Sequence, residues 1–338
     1  MTAPTLPLAL GRARDIVGPS LAAALDRLDP RTRELARYHL GFADAHGNPA
    51  SAGGKAVRPA LALLSARAVG AVADVAVPGA VAVELVHNFS LLHDDLMDGD
   101  VERRHRPTVW ALHGAPAAIL AGDALLALAT QVLLDVGTVE AVAAARMLGD
   151  ATQALIRGQH DDLAFEQRRD VTVEECAAMA VDKTGALLAC AAAIGARLAG
   201  ADPGTVAALH GYGAELGLAF QLVDDLLGIW GSTELTGKPV GSDLRARKKS
   251  LPITWAVRHG GAAGTVLADW LATDGPDTDD DIARAAGLVE SAGGRAWATE
   301  EANRRLAAAE AALAGVPLEP EARDELVVLG RFVVTRER

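Results

Sequence analysis

Two aspartate pairs interrupt long apolar, helix-forming stretches of this chain, and they restrict its fold more than any other feature. The first stands in His93-Asp94-Asp95-Leu96-Met97-Asp98, behind the lead-in Phe89-Ser90-Leu91-Leu92. The second closes Gln221-Leu222-Val223-Asp224-Asp225, 130 residues further on. Asp94 and Asp98 are four apart, so on a helix they share one face about a turn apart. Two carboxylates there repel each other unless a cation sits between them, and unpaired charge is costly to bury in apolar surroundings. Cations follow each pair: Arg103-Arg104 after the first, Lys238 and Arg247-Lys248-Lys249 after the second. Carboxylates and cations together suit a diphosphate held through magnesium, because Mg²⁺ takes one or two protein carboxylates and fills its shell with water and phosphate oxygens. Arg and Lys bind the oxygens that remain. The plainer reading of either pair alone is a solvated acidic helix face or a cap.

Segments with helical periodicity cover roughly 19–40, 56–72, 77–98, 114–135, 139–164, 173–199, 204–229, 250–259, 280–292, 296–314 and 319–335. No strand-rich block, low-complexity linker or solenoid repeat divides them. The expectation is an all-α fold, one large helical bundle over residues 1–338, with residues 1–18 a flexible N-terminal segment and the two aspartate helices facing each other across a central cavity. Half of the residues are hydrophobic, 22% are charged and 4% aromatic, a profile of a packed globular chain. A formal net charge of −12 argues against nucleic acid as a partner. Cys176 and Cys190 lack metal-ligand spacing and are expected to be reduced thiols. The apolar start lacks a basic leader, and the stretch from Ala115 to Val136 is broken by Asp123, Gln131 and Asp135. It reads as buried helix rather than as a membrane span, and the expected location is cytoplasmic.

Seven blocks in order along residues 53–252 resemble the trans-type polyprenyl diphosphate synthases, the short-chain isoprenyl transferases. They are Gly53-Gly54-Lys55-Ala56-Val57-Arg58-Pro59; Glu84-Leu85-Val86-His87 leading into the first aspartate motif; Arg103-Arg104-His105-Arg106-Pro107-Thr108; Gly158-Gln159-His160-Asp161-Asp162-Leu163; Lys183-Thr184-Gly185; Phe220-Gln221 before Asp224-Asp225; and Gly237-Lys238-Pro239-Val240-Gly241-Ser242-Asp243-Leu244 with Lys248-Lys249-Ser250-Leu251-Pro252. The resemblance implies an isoprenoid-synthase bundle, a homodimer, and two or three Mg²⁺ ions bound with an allylic diphosphate that condenses with isopentenyl diphosphate. Carried over residue by residue, it implies metal binding by Asp94, Asp98 and Asp224. Arg103, Lys183 and Lys238 would contact the allylic diphosphate, and Lys248 would support it. Lys55, Arg58, His87 and Arg104 would hold isopentenyl diphosphate. Thr184 and Gln221 would line the incipient cation, while Asp95, Asp225, Gln159 and Asp162 would orient ligands and water without binding the metal.

Two positions depart from the family pattern. Gly228 stands where the second motif usually carries a third aspartate, and His105 where glycine is common. Gly228 leaves open a non-catalytic partner subunit. A class I terpene cyclase is a further alternative, although Lys55, Arg58 and Arg104 supply a second diphosphate site that a cyclase does not need. By family analogy, Phe89 partly closes the tail pocket and Ser90 leaves room, which suggests a geranylgeranyl diphosphate synthase, with farnesyl diphosphate as the next product.

Overall fold

Asp29 and Pro30 divide the first expected helix in two. The Asp29 carboxylate accepts from the Arg31 and Thr32 amides, and Pro30 occupies the first helical turn, where its missing N–H costs nothing. The computed structural model describes residues 7–50, 54–232, 239–273 and 277–335. Instead of one helix over 19–40 it has α1 (Leu8–Leu25) and α2 (Pro30–Leu40). Helix α1 buries Leu10, Ala13, Val17 and Leu21, so the flexible segment expected over 1–18 does not extend across 8–18. Gly53, Gly237 and Lys238 lie outside the described residues.

Among the described residues the remaining helices are α3 (Val57–Ala68), α4 (Val77–Met97), α5 (Val109–His113), α6 (Ala115–Leu134), α7 (Val139–Glu166), α8 (Val173–Ala180), α9 (Ala186–Leu198), α10 (Pro203–Trp230), α11 (Ser242–Arg245), α12 (Leu251–His259), α13 (Gly261–Leu271), α14 (Asp279–Ser291), α15 (Gly294–Ala314) and α16 (Pro320–Thr335). A five-residue π-helical turn, Val181–Gly185, joins α8 to α9. Helix α13 was not foreseen, because its glycine- and alanine-rich start gives little periodic signal. The one hairpin among the described residues pairs β1 (Glu102–Arg103) with β2 (Arg106–Pro107), antiparallel.

The chain forms two compact units, each assembled from separate stretches. One comprises residues 1–152, 190–210 and 312–329; the other comprises 153–189, 211–311 and 330–338. The divisions fall inside helices. In the first unit, α4 packs on α3 and α6 and buries Leu85, Val86, Phe89 and Leu92. In the second, Ile229, Leu244, Ile253, Leu267, Ile282 and Val289 form one core, flanked by Trp230 and Trp270.

Three helical stretches are long and apolar enough to cross a membrane by composition: Ala73–Met97, Ala115–Leu134 and Val173–Leu198. The first and third are mostly buried within the protein, whereas only 39% of the apolar window of Ala115–Leu134 is. Helix α6 therefore departs from the expected buried helix. One face, including Ala121, Leu125 and Leu128, is buried, while Ile119, Leu120 and Leu134 face outward. Both cysteines are free and buried, as expected.

Candidate active site

In the first unit the C-terminal end of α4 carries the first aspartate motif. Asp94 is half-buried and Asp98 exposed, one turn apart on the same face, whereas Asp95 turns inward and is buried. The Arg103 Nε donates to Asp95 Oδ1 at 2.6 Å. Burial pushes the Asp95 carboxyl above its ordinary value, and Arg103 opposes that rise. Asp95 thus holds Arg103 rather than presenting itself to a metal, and its Oδ2 is left without a hydrogen-bond partner.

Arg103 and Arg104 reach this position through the hairpin. Glu102 pairs with Pro107 and Arg103 with Arg106, leaving Arg104 and His105 as a two-residue turn with φ of 52° and 59°. Both angles are left-handed, the geometry of a tight hairpin that favours Asn and Gly. That is the physical reason glycine suits position 105, and His105 adopts the conformation under strain. The turn is held firmly: Tyr38 Oη donates to the Pro107 carbonyl at 2.6 Å, and Trp110 Nε1 to that of Asp100 at 2.8 Å. The Arg106 guanidinium lies over the Tyr38 ring at 4.3 Å and donates to the Ala43 carbonyl.

The turn brings Arg104 to Gly54, where a Cβ would stand 3.2 Å from its Nη2, beside Lys55. Arg58 from α3 and His87 from α4 complete the group. Burial drives the His87 imidazole well below its ordinary pKa, and Arg58, Arg104 and Arg103 push it the same way. His39 is driven down to about 3, by burial first and then by Arg103, Arg104 and Arg106. Both histidines are therefore neutral beside a cluster of arginines, the signature of a place built for an external anion. Arg58 Nε has no partner among the described residues. Glu84, which the sequence analysis gave no role, is the acidic neighbour of Arg58 and Arg104. Burial raises its pKa, and the two arginines counter the rise. Its place one turn before His87 was the available signal.

In the second unit, α7, the π-turn and α10 carry the remaining residues. Lys183 Nζ donates to Asp162 Oδ2. Gly158 makes this approach feasible, because a Cβ there would overlap the backbone of Lys183. A π-turn inside a helix displaces the side chains after it and commonly marks a functional position. Thr184 Oγ1 donates to Gln221 Oε1 at 2.7 Å, and Gln221 Nε2 donates to Asp225 Oδ1 at 2.8 Å. Asp225 Oδ2 accepts from the Leu251 amide at the start of α12, at 2.9 Å. Both Asp225 oxygens are therefore engaged in holding Gln221 and α12, while Asp224, on the same helix, is exposed. Burial raises Asp225 to about 7, with Lys248 resisting. Burial alone would lower the Lys248 ammonium's pKa, but Asp243 first, then Asp162, Asp225 and Asp224, carry it above its ordinary value. Gln159 is buried with neither amide atom hydrogen-bonded.

Among the described residues no three His, Cys, Asp or Glu side chains converge as a protein cage for a metal. The donor set instead fits a hydrated magnesium ion, which needs few protein carboxylates when phosphate oxygens complete its shell. The orphaned atoms of Arg58, Asp95 and Gln159 fit the same account, since buried polar groups are normally partnered. Phe89 is buried and packs edge-on to His93 at 5.0 Å, while His93 Nε2 lies 3.1 Å from the Ile119 carbonyl on α6.

Residues 42–289 match the polyprenyl synthetase family. The whole chain is 54% identical to the (2E,6E)-farnesyl diphosphate synthase of Mycobacterium tuberculosis, covering 95% of that protein. It is 44% identical to a geranylgeranyl diphosphate synthase of the same organism, over 97% of this chain and 93% of the relative. The crystal structure of a polyprenyl synthetase from Streptomyces coelicolor superposes with a TM-score of 0.94 at 54% identity, over 98% of this chain and all of that one. The bundle, the ordered motifs and this likeness agree: the chain belongs to the polyprenyl synthetase family and is a transferase, a short-chain prenyl diphosphate synthase.

Proposed function

We propose that this enzyme condenses allylic diphosphates with isopentenyl diphosphate and stops at the fifteen-carbon farnesyl diphosphate. The observation that carries the chain length is the 54% identity along the full chain to a farnesyl diphosphate synthase, against 44% to a geranylgeranyl diphosphate synthase. The twenty-carbon product expected from Phe89 and Ser90 gives way to the shorter one. Packing supports this, because Phe89 is wedged edge-on to a His93 ring that is itself held at α6, leaving it little freedom to swing aside.

In the first unit, Arg58, Arg104 and Lys55 would bind the diphosphate of isopentenyl diphosphate, with neutral His87 donating one N–H. Asp94 and Asp98 would hold magnesium there, and Asp224 would do so in the second unit. Magnesium, when bound, neutralises the charge that develops on a departing diphosphate. Lys183, oriented by Asp162, and Lys248, kept protonated by its carboxylate neighbours, would meet the allylic diphosphate. The Thr184 and Gln221 oxygens would stabilise the allylic cation, with Asp225 fixing the amide so that Oε1 points away from the amide's own donor end. The outward Ile119, Leu120 and Leu134 of α6 support a homodimer, and a monomer by light scattering would count against it.

The test is a product assay with magnesium, labelled isopentenyl diphosphate and five-, ten- and fifteen-carbon starters, on the wild type and Phe89→Ala. Farnesyl diphosphate should dominate the wild type, and the variant should run on to longer chains. A wild type that makes mainly the twenty-carbon product refutes the chain length.

A further inference from the structure

The left-handed φ of 50° at Arg247 is an unfavourable conformation for its residue type. It follows the short helix α11, which closes in a Schellman turn. The Arg247 amide donates to the Leu244 carbonyl at 3.0 Å, and the Lys248 amide to that of Asp243 at 2.8 Å. The left-handed position of such a turn usually holds glycine, because a Cβ there crowds the following carbonyl oxygen. Arginine carries that conformational cost, and contacts of its side chain offset it.

The guanidinium grips two neighbours. Nη1 donates to the Trp270 carbonyl at the end of α13, at 2.9 Å. Nη2 donates to both carboxylate oxygens of Asp277, just before α14, at 2.9 and 3.1 Å. The guanidinium carbon also lies 4.0 Å from the centroid of the Trp270 ring. The Arg247 and Asp277 side chains are only 18% and 14% exposed, so this is not a solvent-screened surface pair. Lysine, a compact point charge, has no planar fork with which to make these contacts together.

The next residue serves a different group of partners. Lys248 is partly buried, and its ammonium is attracted by Asp243 first, then by Asp162, Asp225 and Asp224. Beyond it, the Lys249 carbonyl accepts from the Cys176 thiol of α8, and the Leu251 amide donates to Asp225 on α10. The chain is thus held after Lys248 by α8 and α10, and before it by the grip of Arg247 on α13 and Asp277.

We propose that Arg247 is a positioning residue for the prenyl transfer: by gripping Trp270 and Asp277 it fixes the left-handed turn that aims Lys248 at the allylic diphosphate. It acts through Lys248 and touches no substrate itself. This inference rests on the reading above that Lys248 meets that diphosphate.

Steady-state kinetics of the full chain with magnesium, isopentenyl diphosphate and the ten-carbon allylic diphosphate test it. Arg247→Gly suits the turn but loses the grip. It should raise the allylic KM about tenfold, the scale of effect a slightly misplaced group produces, and leave the isopentenyl diphosphate KM unchanged. Arg247→Lys keeps the charge and should show the same selective rise, which covers the case of a glycine variant that does not fold. In the double variant R247G/K248M the allylic KM should exceed that of Lys248→Met by less than about twofold, because both changes act through one ammonium. A wild-type allylic KM in the folded Arg247 variants, an equal rise in both KM values, or fully additive single effects overturns the positioning role. If Lys248→Met alone raises the allylic KM in that case, the reading of Lys248 stands. A wild-type allylic KM in Lys248→Met overturns that reading and the proposal with it.

Discussion

Replacing Arg103 by Met tests whether Asp95 is a positioning group for the hairpin rather than a metal ligand. Asp95 has a 2% exposed side chain, its Oδ1 is satisfied by Arg103 Nε at 2.6 Å, and Oδ2 has no partner. Methionine keeps much of the stem's volume but removes the donor and the charge. A charge-assisted hydrogen bond contributes roughly 1.5–3 kcal/mol, and breaking a buried ion pair costs about 3–5 kcal/mol because the survivor is stranded. Arg103 is itself 30% exposed, which lets water relieve some of that loss. The expected destabilisation at neutral pH is therefore about 3 kcal/mol. Urea unfolding followed by circular dichroism should show it as a lower midpoint. The double variant D95N/R103M should recover a good part, since the stranded charge is gone, giving a coupling of about 2 kcal/mol. A loss below about 1 kcal/mol, or strictly additive single changes, would refute the assignment of Asp95 to Arg103.

Asp225 gives the protein a stability term that depends on pH. Its folded pKa, about 7, lies above the ordinary carboxylate value, so the folded state holds the proton more tightly. The stabilisation is then fully present below about pH 4 and is lost as pH rises through 7, amounting to up to about 4 kcal/mol. Asp225→Asn should flatten that part of the stability-against-pH curve, and an identical slope in both proteins would disprove it. His105→Gly should stabilise the hairpin by roughly 1 kcal/mol through relief of the left-handed φ. A melting temperature that stays put or falls would show that the His105 side chain compensates for its backbone.

Much of the site could be read from residue order. Asp94 and Asp98 do share a face at the end of α4, whereas the pairings of Asp95 with Arg103, of Lys183 with Asp162 and of Asp225 with the Leu251 amide join separate elements and were not foreseen. Helical spacing carries the first relation, because positions i and i+4 meet whatever surrounds them. Three things escaped that logic. The break at Asp29-Pro30 was an explicit capping signal outweighed by the apolar periodicity on either side. The hairpin that presents Arg103 and Arg104 is only two pairs long and uses Arg-His where Asn-Gly would announce a turn. Glu84 lay in plain view one turn before His87, but that spacing is a weak signal beside its burial against Arg58, which marks it as part of the anion cluster.

Helix content, the two carboxylate clusters and their attendant cations are local or periodic properties, and the chain alone determines them. Charges within one helical turn interact through geometry that every α-helix shares. Which carboxylate faces a ligand and which supports a neighbour depends on burial and on partners far away in sequence. Only the tertiary structure decided that the Leu251 amide occupies Asp225, that burial and then neighbouring arginines keep His87 and His39 neutral, and that the Asp243 carboxylate fills the space Gly228 leaves. From residue order Gly228 is a missing group. From the packing of α11 on the end of α10 it is the opening through which another group arrives.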